Sequence, residues 1–257
     1  MITSLYQYRH YILRNALADV RHKYSGTGLG LFWNVITPLT QIAVYAVVFS
    51  QIMRARLPDG SWVLYLSSGI LTWGAFNECV QRGLHAFREN APYLKKLPIP
   101  EQVFVARSAA SATFSLGISL AMLLLLATLS HREFDPKWLL VLPVCVLWQA
   151  MGFGLGLMLG TVNVFIRDVA PIVGMVFQMW FWTVPIIYPD SILPAPMQVA
   201  AKFNPPYPCL RTIHDLLVYS TMPPAWVWAA MIGWTTLALV VGFVVLRALR
   251  AEIRDML

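Results

Sequence analysis

Charge is what this sequence has least of. Only 12% of its 257 residues are Asp, Glu, Lys or Arg, against 58% apolar and 13% aromatic. An ordinary soluble domain carries about a quarter charged residues, so a water-soluble fold is excluded and an all-α membrane protein is expected. Cysteine is scarce as well. Cys79, Cys145 and Cys209 have no metal-ligand spacing, and two of them fall inside apolar runs, which excludes a disulfide framework and a cysteine zinc site. The sequence has no GxxxxGK[ST] phosphate loop, no HExxH, no CxxC and no GxSxG, so ATP binding by a phosphate loop and the metalloprotease and serine-hydrolase chemistries are not expected. The five histidines (positions 10, 22, 85, 131 and 214) lie at the ends of apolar runs or in connections, none in a ligand pair. Ionisable groups inside the apolar runs are too few for a proton or ion cycle. No metal and no cofactor is expected in this chain. A conduit of this kind needs a partner that supplies energy.

What the sequence does contain is long uncharged runs. Residues 29–53 hold no charge over 25 positions, enough to cross the ~30 Å core of a bilayer. Within that run Asn34, Thr37, Gln41, Tyr45 and Phe49 follow one another at spacings of three or four, which keeps them on one helical face. Lipid offers such a stripe no hydrogen-bond partners, so it faces protein or a water-filled path; the stripe alone leaves both open. Five further spans are predicted at 62–81, 108–129, 138–162, 169–188 and 225–246. Six spans put both termini on one side. That side carries thirteen Lys and Arg and the other six, so the positive-inside rule places both termini, and the 247–257 tail, in the cytoplasm. This topology, rather than a nucleic-acid partner, accounts for the net charge of +7.

Residues 1–28 contain no long apolar core and are not expected to be a cleaved signal peptide. Leu5, Tyr8, Ile12, Leu13, Ala16, Leu17, Val20 and Tyr24 recur at helical spacing, with Arg9, Arg14, Arg21 and Lys23 mostly off that stripe. This is the pattern of an amphipathic helix in the membrane interface, and equally of one packed on the protein. Two connections stand out. The cytoplasmic 85–107 segment is basic, and Pro92 opens a short helix over Tyr93, Leu94, Lys95, Lys96 and Leu97 that Pro98 and Pro100 close. The segment reads as a docking element or as a solvated basic loop. The external 189–224 connection holds 8 of the 17 prolines and two apolar stretches, 197–203 and 210–219, each too short to span. They read as interfacial or re-entrant helices capping an external mouth, or as an inert surface loop. In the fourth span Gly152, Gly156 and Gly160 recur every four residues, the pattern of close helix packing. In the fifth, Gln178 and Trp182 lie one turn apart, and Tyr188 suits a membrane interface. Glu78 and Arg82, four apart, are expected to form a local ion pair.

Four stretches carry a family resemblance. DVRHKYSGTGLGLFWNVITPL (19–39), PYLKKLPIP (92–100), NVFIRDV (163–169) and FNPPYP (203–208) resemble the permease subunit of ABC-2 type transporters that export polysaccharide, the capsule and O-antigen exporters. The resemblance covers essentially the whole chain. It implies an ABC-2, type V-like permease with an interface helix, six transmembrane helices and two short external gate helices between the fifth and sixth. It also implies a homodimer with two separate P-loop ATPase subunits that bind ATP and Mg2+, in a bacterial inner membrane, working on a lipid-linked polysaccharide and handing it to periplasmic and outer-membrane export components. On this resemblance Pro92, Tyr93, Leu94, Lys95, Lys96 and Leu97 would couple to the ATPase. The first and fifth spans would line the channel with Asn34, Thr37, Gln41, Tyr45, Phe49, Gln178, Phe181 and Trp182. Arg9, Arg14, Arg21 and Lys23 would admit an anionic lipid-linked substrate, and Met197, Phe203, Asn204, Pro205, Leu210 and Leu216 would form the external gate. An exporter of teichoic acid, lipid or drug, a membrane-embedded glycolipid-processing enzyme and a scaffold for a synthase complex are the competing readings. The enzyme needs an acidic or histidine cluster at a membrane face, and the sequence presents none.

Overall fold

The computed structural model describes residues 2–24, 30–48, 61–130 and 135–257. The predicted channel residue Phe49, the side chain of Lys23 and the first external connection at 54–61 up to Gly60 lie outside the described residues. Among the described residues there is no strand. Eleven α-helices follow in order: α1 (Ile2–Gln7), α2 (Arg9–Tyr24), α3 (Trp33–Val47), α4 (Trp62–Glu89), α5 (Ala91–Lys96), α6 (Gln102–Leu129), α7 (Val141–Phe165), α8 (Val169–Thr183), α9 (Ala195–Lys202), α10 (Tyr207–Leu217) and α11 (Ala225–Met256). Three stretches, Gln102–Leu129, Pro136–Phe165 and Ala225–Met256, are long and apolar enough to cross a membrane, and the protein is a multi-pass membrane protein.

Several helices overrun the spans predicted from hydropathy. α4 continues past residue 81 to Glu89 because the polar turns at its end are helix-competent, and Arg82 Nε reaches Glu78 Oε1 at 2.8 Å one turn back. α6 begins at Gln102 rather than 108, so the expected 85–107 connection shrinks to 97–101 and the short helix α5. The 247–257 tail is the last part of α11. α8 falls short instead: it ends at Thr183, not 188. Its 15 residues rise about 22 Å, and the chain then turns through Val184–Ile187, buried against α4. Irregular backbone at such depth needs protein partners. Tyr65 supplies them, its hydroxyl donating to Tyr188 O at 2.8 Å and Pro185 O at 3.2 Å.

α4 is the hub, packed against α3, α6, α7, α8 and α10, while α7 also pairs with α11. Glycines set the spacing. A Cβ on Gly83 of α4 would stand 2.6 Å from Gly156 Cα, and one on Gly154 would stand 2.6 Å from the Ala238 carbonyl carbon of α11. The predicted Gly152–Gly156–Gly160 face thus meets α4, and Gly154, on another face, meets α11. In lipid, where apolar burial gives no drive to associate, such close backbone packing is what holds helices together. Two buried hydrogen bonds fix the register, Trp148 Nε1 to Thr72 O and Asn163 Nδ2 to Leu84 O, each 2.9 Å.

A second apolar core joins Ile12 of α2, Phe87 of α4, Leu94 of α5, Phe104 of α6 and Leu246 and Ile253 of α11. The amphipathic reading of α2 therefore divides. Ile12 and Ala16 pack inward, whereas Leu13 and Leu17 remain exposed beside Arg14 and Arg21. Because the α4–α7 contact has no room for a side chain, Gly156→Leu is expected to destabilise the purified protein by about 1–3 kcal/mol. A thermal melt in detergent checks this; an unchanged midpoint would contradict the packing account.

Candidate functional site

α3 and α8 lean on α4 from two sides and leave a groove along it. One part, a cavity of about 560 Å3, is lined by Gln41 and Tyr45 of α3 and by Gln178, Phe181 and Trp182 of α8, with α4 as its floor. A second part, about 400 Å3, is lined by Asn34, Thr37 and Gln41 with Glu78 of α4 and Ser115 and Ser119 of α6. The two share Gln41, Ile70 and Gly74. Every described member of the predicted channel set lines this groove, although the first and fifth spans are more than a hundred residues apart in sequence.

The floor is what the sequence reading missed. Trp73, Gly74, Asn77 and Gln81 of α4 face the groove. Asn77 and Gln81 are one turn apart in an apolar helix, the same amide signal that marked Gln41. Gly74 on the floor and Gly174 on the α8 wall have open space where a Cβ would stand. The aromatic wall is rigid: Trp73 lies 5.8 to 6.2 Å from Phe177, Trp180 and Phe181, mostly edge-to-face or tilted, the favoured geometry for such rings. Asn77 Oδ1 is buried without a hydrogen-bond partner. The one ionised pair on the lining side, Glu78 with Arg82, is internally neutralised, and Ser115 Oγ donates to the same Glu78 oxygen at 3.2 Å. Amides, hydroxyls and ring faces without net charge bind hydroxyl-rich neutral rings weakly at many points.

The short helix α5 divides its residues between two tasks. Pro92, Tyr93, Lys95, Lys96 and Leu97 are exposed, but Leu94 is 0% exposed and packs into the second core. Leu94 is an anchor, not a docking residue; helical spacing puts one α5 face inward and Leu94 occupies it. Both ends of the element are held by charge. Glu101, 2% exposed, accepts from Arg250 Nε at 2.7 Å and Arg254 Nε at 3.1 Å. Arg107 donates two hydrogen bonds to the Asp19 carboxylate of α2 and one to Asn90 Oδ1 at the start of α5.

Of the predicted substrate-admitting residues, Arg9, Arg14 and Arg21 are exposed along α2, and Arg9 stacks 4.3 Å from the Tyr6 ring centroid. The six predicted gate residues separate. Met197 and Phe203 are exposed, Phe203 at 73%. Asn204 clasps α8, its Oδ1 accepting from Trp180 Nε1 at 2.7 Å and its Nδ2 donating to Thr183 Oγ1 at 3.3 Å. Pro205 borders an apolar cavity of about 210 Å3 with Trp180 and Trp234. Leu210 and Leu216 are fully buried against α4 and α7 neighbours and so hold α10 in place; no exposed face remains on them for a gate.

Comparison with known proteins agrees with this architecture. The model of the ABC-2 type transporter family matches residues 11–218. The O-antigen export system permease protein RfbA of Myxococcus xanthus is 30% identical over 196 residues, 75% of this chain and 74% of that protein. A protein of the same description from Klebsiella pneumoniae is 22% identical over 79% of this chain and 78% of its own length. The polysialic acid transport protein KpsM of Escherichia coli is 19% identical over 74% of each. A multi-helix membrane protein with a polar groove along its hub helix, matched by the family model over most of its length, belongs to the ABC-2 type transporter family.

Proposed function

We propose that this chain is the membrane-spanning permease subunit of an ABC transporter that exports a polysaccharide, and that the groove along α4 is its path. The observation that carries the reading is the meeting of Gln41, Tyr45, Asn77, Gln178, Phe181 and Trp182 in one groove, in a chain whose relatives include O-antigen export permeases. Pyranose rings stack apolar C–H faces on aromatic rings and hydrogen-bond their hydroxyls to amides. A succession of such contacts, each modest, lets a polymer slide instead of lodging.

In this reading α3, α4, α6, α7, α8 and α11 are six spans, α9 and α10 lie at the external mouth, and both termini face the cytoplasm of a bacterium across its inner membrane. Two copies of the chain close their grooves on one another, and two ATPase subunits carrying ATP and Mg2+ dock from the cytoplasmic side. The exposed residues of α5 receive their motion. Leu94 and the two ion links pass it to α11 and α2, which move the groove walls. The basic face of α2 attracts the anionic lipid end of the substrate, and periplasmic export components receive the polymer.

Two outcomes test this. Gly74→Leu and Gly174→Leu, each entering open space, are expected to leave assembly and melting unchanged while cutting surface polysaccharide at least tenfold, read by immunoblot of cells complemented with each variant. Normal export by the double variant would remove the groove from the path. Lys95→Asp with Lys96→Asp is expected to abolish co-purification of the encoded P-loop ATPase from a folded permease, whereas Leu94→Asp loses the folded permease itself. Retention of the ATPase by the double lysine variant would move the docking site elsewhere.

A further inference from the structure

The external end of α4 borders another cavity, about 200 Å3, that the groove does not use. It lies beyond the chain turn after α8, where Tyr188 Oη donates to Trp182 O at 2.7 Å, so it follows Trp182 in the outward direction. Asp190, Arg211, His214 and Asp215 form its polar side, and Pro185, Pro189 and Tyr219 its apolar side. Tyr207 Oη donates to Asp190 Oδ2 at 2.5 Å and accepts from Arg211 Nη1 at 2.8 Å. The Arg211 guanidinium stands 3.7 Å from Asp190 and 3.5 Å from Asp215, so two carboxylates face one cation.

His214 supplies the second observation. It is 4% exposed and lies flat on Tyr65, with ring centroids 4.0 Å apart and 18° between planes. Its Nε2 has no hydrogen-bond partner. Burial pushes its pKa down to about 3, so the ring is neutral, and a buried nitrogen left without a partner is unfavourable. Burial likewise raises the Asp215 pKa, with Arg211 pulling it back. Among the described residues no cluster of three or more metal-ligating side chains occurs, which argues against a metal ion here. The volume is below the ~300–1,000 Å3 of pockets for larger ligands and suits one six-membered ring. Carboxylates and a guanidinium paired with proline and tyrosine surfaces match the hydroxyl edges and C–H faces of a sugar. The excess negative charge selects against an acidic one.

We propose that this cavity is an outer sugar subsite, which takes one neutral or amino-bearing pyranose unit of the polymer as it leaves the groove. The proposal rests on the polysaccharide reading of the groove. Held at the mouth, the unit resists sliding back while the groove resets.

The test uses the permease carrying Gly74→Leu and Gly174→Leu, which fill the groove so that sugar bound there gives no signal, purified with its ATPase subunits in lipid nanodiscs. Saturation-transfer difference NMR is recorded with glucose, galactose, mannose, glucosamine and glucuronate as probes at millimolar concentration. Ser191 borders the cavity and is exposed, so Ser191→Trp fills the space without removing an ion pair. Met222→Trp, at an exposed external position, is the control for an added ring. The expected result is a signal from at least one neutral or amino sugar, at least fivefold weaker for glucuronate. That signal is abolished in Ser191→Trp, kept in Met222→Trp and reduced at least tenfold in Asp215→Asn. No signal with the outer cavity left intact, a signal strongest for glucuronate, or one that survives Ser191→Trp would overturn the subsite. Survival in Ser191→Trp places sugar binding elsewhere and leaves the export reading standing, whereas loss of surface polysaccharide export is read separately by the groove variants.

Discussion

The close approach of α7 to α4 on one face and to α11 on another is the constraint from which the rest follows. With Gly83 against Gly156, and Gly154 against Ala238 and Gly242, three long helices become a slab that no side chain separates. Dispersion contacts and weak C–H···O contacts between backbones replace the apolar drive that lipid cannot supply. α3 touches this slab through α4, and α8 touches it through α4 and α7. Their polar faces are thus turned along α4 rather than consumed by packing, and the groove is the space that remains.

The same rigidity gives the proposed motion its path. α5 is too short to act alone. Leu94 ties it to the second core, Glu101 ties the chain just after it to the end of α11, and Arg107 ties α6 to α2. The Glu101 carboxylate is 2% exposed and two arginines of α11, themselves partly exposed, converge on it. On the proposed docking at α5, a push there would move α11 and α2 with it. Since α11 meets α7 through glycine contacts, the displacement would reach the groove floor as a shift of whole helices.

Much of this was legible in the sequence, and what was not has physical reasons. The stripe Asn34, Thr37, Gln41 and Tyr45 was readable because amides in an apolar helix are costly unless they face something polar. Gln178 and Trp182 were readable for the same reason. The floor escaped because Asn77 and Gln81 sit beside Glu78 and Arg82 where the predicted span ends, so their amides read as the polar end of a span, and Gly74, facing open space, looks in sequence like Gly83, which faces backbone. Periodicity gives faces but not neighbours, so it could not tell that Leu94, Leu210 and Leu216 point into cores while Tyr93 and Phe203 point out. Helices run past the predicted spans where hydropathy fades before helix propensity does, as in α4 and α11. α8 stops short of residue 188 for the opposite reason, since an apolar run there continues as irregular chain held by Tyr65. The Glu101 and Arg107 links join residues 88 to 153 apart, and no local pattern announces them.

The central claim is that polymer travels along α4 between α3 and α8. The most direct measurement replaces Trp182, an aromatic residue already lining the groove, with the photocrosslinking residue p-benzoylphenylalanine in cells whose ATPase partner is catalytically slowed, with the same residue at exposed Val240 of α11 as reference. Irradiation is expected to attach polysaccharide to the permease at position 182, seen as a mobility shift lost on periodate treatment, and not at position 240. Equal labelling at both positions, or labelling at 240 alone, would contradict the account.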